Sequence, residues 1–215
     1  MSASRWSYVL FDLDGTVVNT IPLIIASYDY AVRQVLGERV DPEEARGWIG
    51  QTLADTFHRK YPDHVDALIS SYVEFNLTRM DELLEQYSGM RELLTDLVSA
   101  GIRIGVATSK RRSSAERTLA LSGLSDVIPV TVAMDDTAAH KPRPEPLLLA
   151  MERLGAPVAE AVYIGDAVVD VQAAHAAGLP AISVSWGAVG ADVLAAAEPE
   201  FLVSEMDELR RLLLG

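Results

Sequence analysis

The second half of the chain alternates short apolar runs with longer stretches of helical period. Residues 102–108 (IRIGVAT), 127–133 (VIPVTVA), 161–166 (AVYIGD) and 181–186 (AISVSW) are rich in β-branched or small residues, as buried strands are. The amphipathic stretches between them end repeatedly in glycine. Gly101, Gly123, Gly155 and Gly178 stand where a helix C′ residue takes a left-handed backbone, and Pro180 follows the last as a stop signal. Strand–helix alternation predicts an α/β fold, a Rossmann-like parallel sheet covered by helices on both faces. An earlier apolar run, Tyr8-Val9-Leu10, supplies its first strand.

Residues 18–85 break that alternation. Thr20 and Pro22 start a helical pattern that reaches Gly37, and Asp41-Pro42-Glu43-Glu44 is an N-cap, a proline at N1 and two first-turn acids. Further helical patterns lie near 51–59 and 63–85, with no clear strand between them. The expected organisation is a core of residues 1–17 and 86–215 with an all-helical insert, residues 18–85. Its two linkers, near 15–20 and 81–89, contain Gly15 and Ser88-Gly89 as points of rotation.

Composition narrows the chemistry. Hydrophobic content of 49% with 23% charged residues is ordinary for a water-soluble domain. The absence of cysteine removes disulfides, thiolate metal sites and cysteine nucleophiles. No apolar run has the length of a membrane span or of a signal-peptide core, so the expectation is a cytoplasmic protein with no membrane partner. A net charge of −13 argues against nucleic acid. A small anionic substrate stays compatible, because basic residues concentrate in TSKRRSS (108–114) and HKPRP (140–144). Lysine occurs only at Lys60, Lys110 and Lys141, so both basic loops received one of the three.

Ligands of open α/β sheets bind beyond the carboxyl ends of the strands. The first strand runs into Asp12 and Asp14, whose alternate spacing projects both carboxylates to one side. The strand at 102–108 ends in Thr108, that at 161–166 in Asp166, with Asp170 one helical turn on, and His140-Lys141 follows the third strand. Taken singly, Asp166 reads as a helix N-cap, Asp170 as a first-turn acid, Thr108 as a strand-end cap and Lys141 as a surface lysine. Two adjacent carboxylates leaving an apolar strand resist such a reading, since unpaired buried charge is costly. A cation or a catalytic role would compensate.

DLDGT (12–16 with its preceding Phe11), a strand ending in ATS, then HKP, then GDAVVD, in that order, resemble the four motifs of the haloacid dehalogenase superfamily, and a helical insert after the first motif is similar to that superfamily's small cap. The resemblance spans essentially the whole chain. It implies Asp12 as the nucleophile that forms an aspartyl-phosphate, and Asp14 as acid, then base. It implies Mg²⁺ held by Asp12, the Asp14 main-chain carbonyl, Asp166 and Asp170, with Thr108 and Lys141 on the phosphoryl group. Gly15 would let the chain pass close to the ligand, with Thr16, Ser109 and Lys110 among the substrate-binding residues. Asp14 favours phosphoryl transfer over dehalogenation, and the only insert lysine, Lys60, lies in the charged stretch FHRKYP, a poor match for a Schiff-base phosphonate hydrolase. The chain departs from many relatives at Ala167, where a hydroxyl or amide residue is usual.

Within the superfamily, RGWIGQTLADTF (46–57) resembles the cap loop over the leaving group, with Gly50, Gln51 and Thr52 facing substrate. VVNT (17–20), SYVEFNLTRMDELLEQY (71–87), KPRPEPLLLA (141–150) and WGAVGADVLAAAEPEFLV (186–203) look like inorganic pyrophosphatases and phosphoglycolate phosphatases of this superfamily, with Asn19 leaning toward the pyrophosphatase. A sugar-phosphate mutase and a catalytically silent binding protein of the same fold are the alternatives.

Overall fold

The computed structural model describes residues 5–215. In chain order its strands are β1 (Tyr8–Phe11), β2 (Val18–Asn19), β3 (Glu85–Gln86), β4 (Arg103–Ala107), β5 (Val130–Val132), β6 (Ala161–Gly165), β7 (Ala181–Val184) and β8 (Phe201–Val203). Its α-helices are α1 (Ile21–Leu36), α2 (Pro42–Arg46), α3 (Leu53–Lys60), α4 (Val65–Leu83), α5 (Met90–Ser99), α6 (Arg112–Leu121), α7 (Glu145–Leu154), α8 (Val168–Ala176), α9 (Ala191–Ala195) and α10 (Met206–Leu214). Six strands form one sheet in the order β5-β4-β1-β6-β7-β8, and every pairing in it is parallel.

Both faces of the sheet are apolar because alternate residues of each strand enter different layers. Val9 and Phe11 of β1 pack with Leu93 and Leu97 of α5 and with Leu209 and Leu213 of α10, whereas Leu10 packs with Leu147 of α7 and Val171 of α8. The expected left-handed glycines are found at the helix ends, with φ of +81° at Gly101 and +77° at Gly178. Two strand readings change. The run 127–133 pairs only over Val130–Val132, since Pro129 has no N–H for the ladder and only accepts, from Val106. β8 was not expected, because three residues carry too little alternation to be read as a strand.

Residues 21–83 carry α1 to α4 and bury a separate apolar cluster. Its centre is Tyr28, whose ring meets those of Trp48, Phe57 and Tyr72 with centroids 5.0, 5.6 and 4.9 Å away. Asp41 caps α2 by accepting from the Glu43 and Glu44 N–H groups, as its sequence implied. The chain segments entering and leaving these helices pair with each other: β2 and β3 are antiparallel, Val18 opposite Gln86 and Asn19 opposite Glu85. The expectation of no strand within residues 18–85 is corrected at these two ends. Asn19 sits there and donates to Glu85 at 2.7 Å, so it is taken up by the linker and does not line the cavity described below.

Candidate active site

β1 ends at Phe11, so Asp12 and Asp14 lie in the turn beyond the ladder and the strand rule no longer aligns them. The structure separates their partners. Asp12 is buried, and its N–H still reaches back to the Ile164 carbonyl. Lys141 Nζ lies 3.1 Å from Asp12 Oδ1, but off the hydrogen-bonding direction. The ammonium instead donates to Asp170 Oδ1 at 2.6 Å and to the Tyr163 hydroxyl at 3.0 Å. Asp12 Oδ1 is therefore buried without a hydrogen-bond donor among the described residues. The Asp14 carboxylate turns elsewhere, accepting from Thr20 at 2.7 Å and from Lys110 Nζ at 2.8 Å.

Asp166 and Asp170 flank Asp12. Asp166 Oδ1 accepts from the Thr16 hydroxyl at 3.0 Å, and Oδ2 from the Ala188 N–H at 2.7 Å. Asp170 sits in the first turn of α8, where Oδ2 accepts the Ala167 N–H at 3.0 Å. The N-cap position of α8 belongs to Ala167, not to Asp166, since the helix begins at Val168. One oxygen from each of Asp12, Asp166 and Asp170 lies within 4.8 Å of the others, all three residues buried.

Electrostatics follow from this crowding. Burial pushes the Asp12 carboxyl up to about 7, against the pull of Lys141 and with Asp170 and Asp14 adding to the rise. Burial likewise pushes Asp166 well up, helped by Asp170 and Asp12. Burial works against the Lys141 ammonium, yet Asp12 and Asp170 outweigh it and hold its pKa well above the ordinary value. Three carboxylates face one ammonium, so the ionised cluster has an excess of two negative charges. An all-oxygen donor set with that excess and an undonated Asp12 oxygen fits a hard divalent cation such as Mg²⁺ and suits zinc poorly.

Several of the expected site residues also serve the architecture around these carboxylates. Gly15 has φ +81°, and a Cβ there would come within 2.3 Å of Asp166 Oδ2. Its lack of a side chain makes room for that carboxylate. Thr16, expected to orient substrate, is wholly buried with its hydroxyl on Asp166. Thr52 is also buried: it caps α3, accepting from the Asp55 N–H and donating to the Asp55 carboxylate. Gly50, Gln51 and Thr52 all line the cavity, and Ser109 donates to the Gly50 carbonyl at 3.1 Å. Thr108 ends β4, bonds through its N–H to Val132, and accepts the Lys110 N–H at its hydroxyl.

A cavity of about 350 Å³ lies between the sheet edge and the helices of residues 21–83. Asp12, Asp14, Thr108, Ser109 and Lys110 line one wall; residues of α1, the Gly50 loop and α4 line the other. The sequence reading missed Thr20 and Tyr163, which hold Asp14 and Lys141, and the loop at Gly187-Ala188, which closes on Asp166. A Cβ at Gly187 would come within 2.3 Å of Asp166. The glycine itself was the available signal.

A parallel sheet whose edge presents a buried aspartate, a lysine and two further carboxylates beneath a helical lid is the build of a hydrolase for small anionic substrates. The chain belongs to the haloacid dehalogenase-like hydrolase family, whose sequence profile matches residues 9–184. It is similar to the pyrophosphatase PpaX of Bacillus velezensis, 36% identical over 209 residues and 97% of each chain, and to that of Bacillus cereus, 38% identical over 205 residues and 95% of each. Among solved structures it resembles a predicted phosphatase from Clostridium acetobutylicum, with a TM-score of 0.88 and 27% identity over 97% of this chain and 98% of that one. The protein is thus a phosphatase-type hydrolase of this family. No described helix is long and apolar enough to cross a membrane.

Proposed function

We propose that the protein hydrolyses a small phosphorylated metabolite or pyrophosphate through a phosphorylated Asp12. The observation that carries this reading is Asp12, a cavity-lining residue whose Oδ1 is buried without a donor, 3.1 Å from Lys141 Nζ. The Asp12 carboxylate attacks phosphorus, and the bond from phosphorus to the leaving oxygen breaks. Asp14 gives that oxygen a proton, then takes one from the water that hydrolyses the aspartyl-phosphate. Thr20 and Lys110 orient Asp14 for both tasks. Thr108 donates to a phosphoryl oxygen, and Lys141 balances charge while its bonds to Asp170 and Tyr163 fix its position. Asp12, Asp166, Asp170 and the Asp14 main-chain carbonyl would hold Mg²⁺, which when bound neutralises charge on the phosphoryl oxygens. The reading takes residues 18–85 as a lid over this chemistry and excludes water from the acyl phosphate.

The test is Asp12→Asn, a nearly isosteric change. Turnover should fall by several orders of magnitude with the circular dichroism spectrum unchanged, and wild-type protein quenched during turnover should carry one phosphate on Asp12. A variant with near wild-type kcat would overturn the mechanism.

A further inference from the structure

The two walls of the cavity differ in kind. Its cations, Lys110 and Arg111 with His140 nearby, all stand on the sheet side. Lys110 is engaged by Asp14, at 2.8 Å. The opposite wall includes Ile24, Ile49, Leu53, Ile69, Val73 and Leu77, with the neutral polar side chains of Gln51, Thr52, Asn76 and the tyrosines Tyr28 and Tyr72 among them. On α4, Ile69, Val73 and Leu77 are spaced four residues apart, so they form one stripe of a single helix face. These three are only half-buried within the protein, and all three line the cavity. No Lys, Arg or His from residues 21–83 reaches the cavity, and the one charged residue there is Asp55.

That wall is where the leaving group must lie, since phosphorus has to sit against Asp12 on the opposite side. A leaving phosphate would meet hydrocarbon, a carboxylate and only neutral polar groups there, and it would have to give up hydration without a compensating positive charge. A hydrocarbon leaving group would instead cover the half-buried Ile69, Val73 and Leu77 side chains. The cavity volume falls at the lower end of the range for small-molecule sites, roughly 300–1,000 Å³. We infer that the preferred substrate is a phosphate monoester whose alcohol carries an apolar chain or ring of about four to six carbons, with pyrophosphate a poorer substrate. This rests on the proposed reaction at Asp12 and concerns only what departs from it.

The experiment is steady-state hydrolysis, with Mg²⁺, of methyl, ethyl, propyl and butyl phosphate alongside pyrophosphate. The alkyl series holds the leaving-oxygen chemistry nearly constant, so its slope reports the wall. kcat/KM should rise about fourfold per methylene, and butyl phosphate should exceed pyrophosphate although the anhydride is intrinsically the easier bond to break. Leu77→Lys should flatten the slope and raise the relative rate on pyrophosphate; if that variant does not fold, Ile69→Ala should lessen the slope. Dissociation constants of methyl- and butylphosphonate by calorimetry should show the same preference without turnover. A flat series with pyrophosphate ahead would overturn this inference and leave the reaction at Asp12 standing. Failure to hydrolyse any of the five compounds would instead remove the reading of the reaction, and this inference with it.

Discussion

The Ser109 hydroxyl, just past the end of β4, donates to the Gly50 carbonyl at 3.1 Å, tying the sheet edge to the loop between α2 and α3. On the other side of that loop, Gly50 lies against α8. Its φ is +95°, and a Cβ would stand 3.0 Å from the Ala167 methyl and 3.1 Å from Val169 Cγ2. The Ala167 methyl and Val169 thus form the surface on which the Gly50 loop rests. Gly50→Ala should therefore disturb seating twice, by backbone strain of about 1–2 kcal/mol and by crowding. We expect kcat/KM to fall at least tenfold on every substrate, with Ser109→Ala giving a smaller loss of about 1 kcal/mol or some fivefold. Unchanged kinetics in both variants would show that this contact plays no part in turnover.

The charge excess at Asp12, Asp166 and Asp170 sets up an opposition between stability and metal binding. In Asp166→Asn, the amide oxygen can keep the Ala188 N–H while Thr16, whose hydroxyl rotates, accepts from the amide nitrogen. One buried negative charge is then gone. Without metal the variant should melt about 2–4 °C above wild type, equivalent to about 1 kcal/mol. Added Mg²⁺ should raise the melting temperature of wild type and leave the variant nearly unmoved. A variant less stable than wild type in a chelator would contradict this account of the cluster.

Thr52 and Gln51 are neighbours with separable roles. Thr52 caps α3 and pairs with Asp55, so Thr52→Ala should lower stability by about 1 kcal/mol while the ratio of kcat/KM values among substrates stays put. Gln51, half-buried on the cavity wall, has no cap to hold, and Gln51→Ala should reorder the substrates with little loss of stability. Chemical denaturation and a substrate panel on both variants would distinguish them; a reordered panel in Thr52→Ala would show that its side chain, which also lines the cavity, selects substrate.

What could be read in the sequence divides along physical lines. Asp12, Thr108 and Asp166 were legible because strand ends in a parallel sheet converge, and the apolar runs marked where each strand stopped. Lys141 was legible only as one member of that set. The partners that orient these groups were not legible: Thr20 on Asp14, Tyr163 on Lys141, the Ala188 N–H on Asp166. Such contacts join distant parts of the chain or use main-chain atoms, which no residue type announces. Thr16 shows the converse limit. A hydroxyl beside a site invites a substrate role, yet once buried it serves the nearest carboxylate, because an unpaired polar group would be costly there.

A cluster behind the Lys110 loop gives the pH dependence its sign. Asp136, in the turn after β5, accepts from the Arg112 and Arg153 guanidinium groups and, at 2.7 Å, from the Ala133 N–H. Burial works against its carboxylate, but Arg153, the Ala133 N–H and Arg112 outweigh it and hold the pKa down, from 3.8 to about 2. The neighbouring Met134 N–H donates to the Lys110 carbonyl at 2.9 Å, so this turn also braces the loop that carries Lys110. A carboxyl whose folded pKa lies below its unfolded one stabilises the fold above the unfolded value and loses that contribution as pH falls through the folded one. The window is therefore about pH 4 down to about 2. The shift taken at face value is worth about 2.5 kcal/mol, but Arg112 and Arg153 are 33% and 40% exposed, and solvent screening reduces it to about 1 kcal/mol. Asp136→Asn keeps an oxygen for Ala133 and removes both ion pairs. It should be about 1 kcal/mol less stable than wild type at pH 6 and nearly equal at pH 2, read as the difference in urea midpoint at each pH. A difference that stays constant or widens on acidification would mean that Asp136 is not held in its ionised form by these arginines.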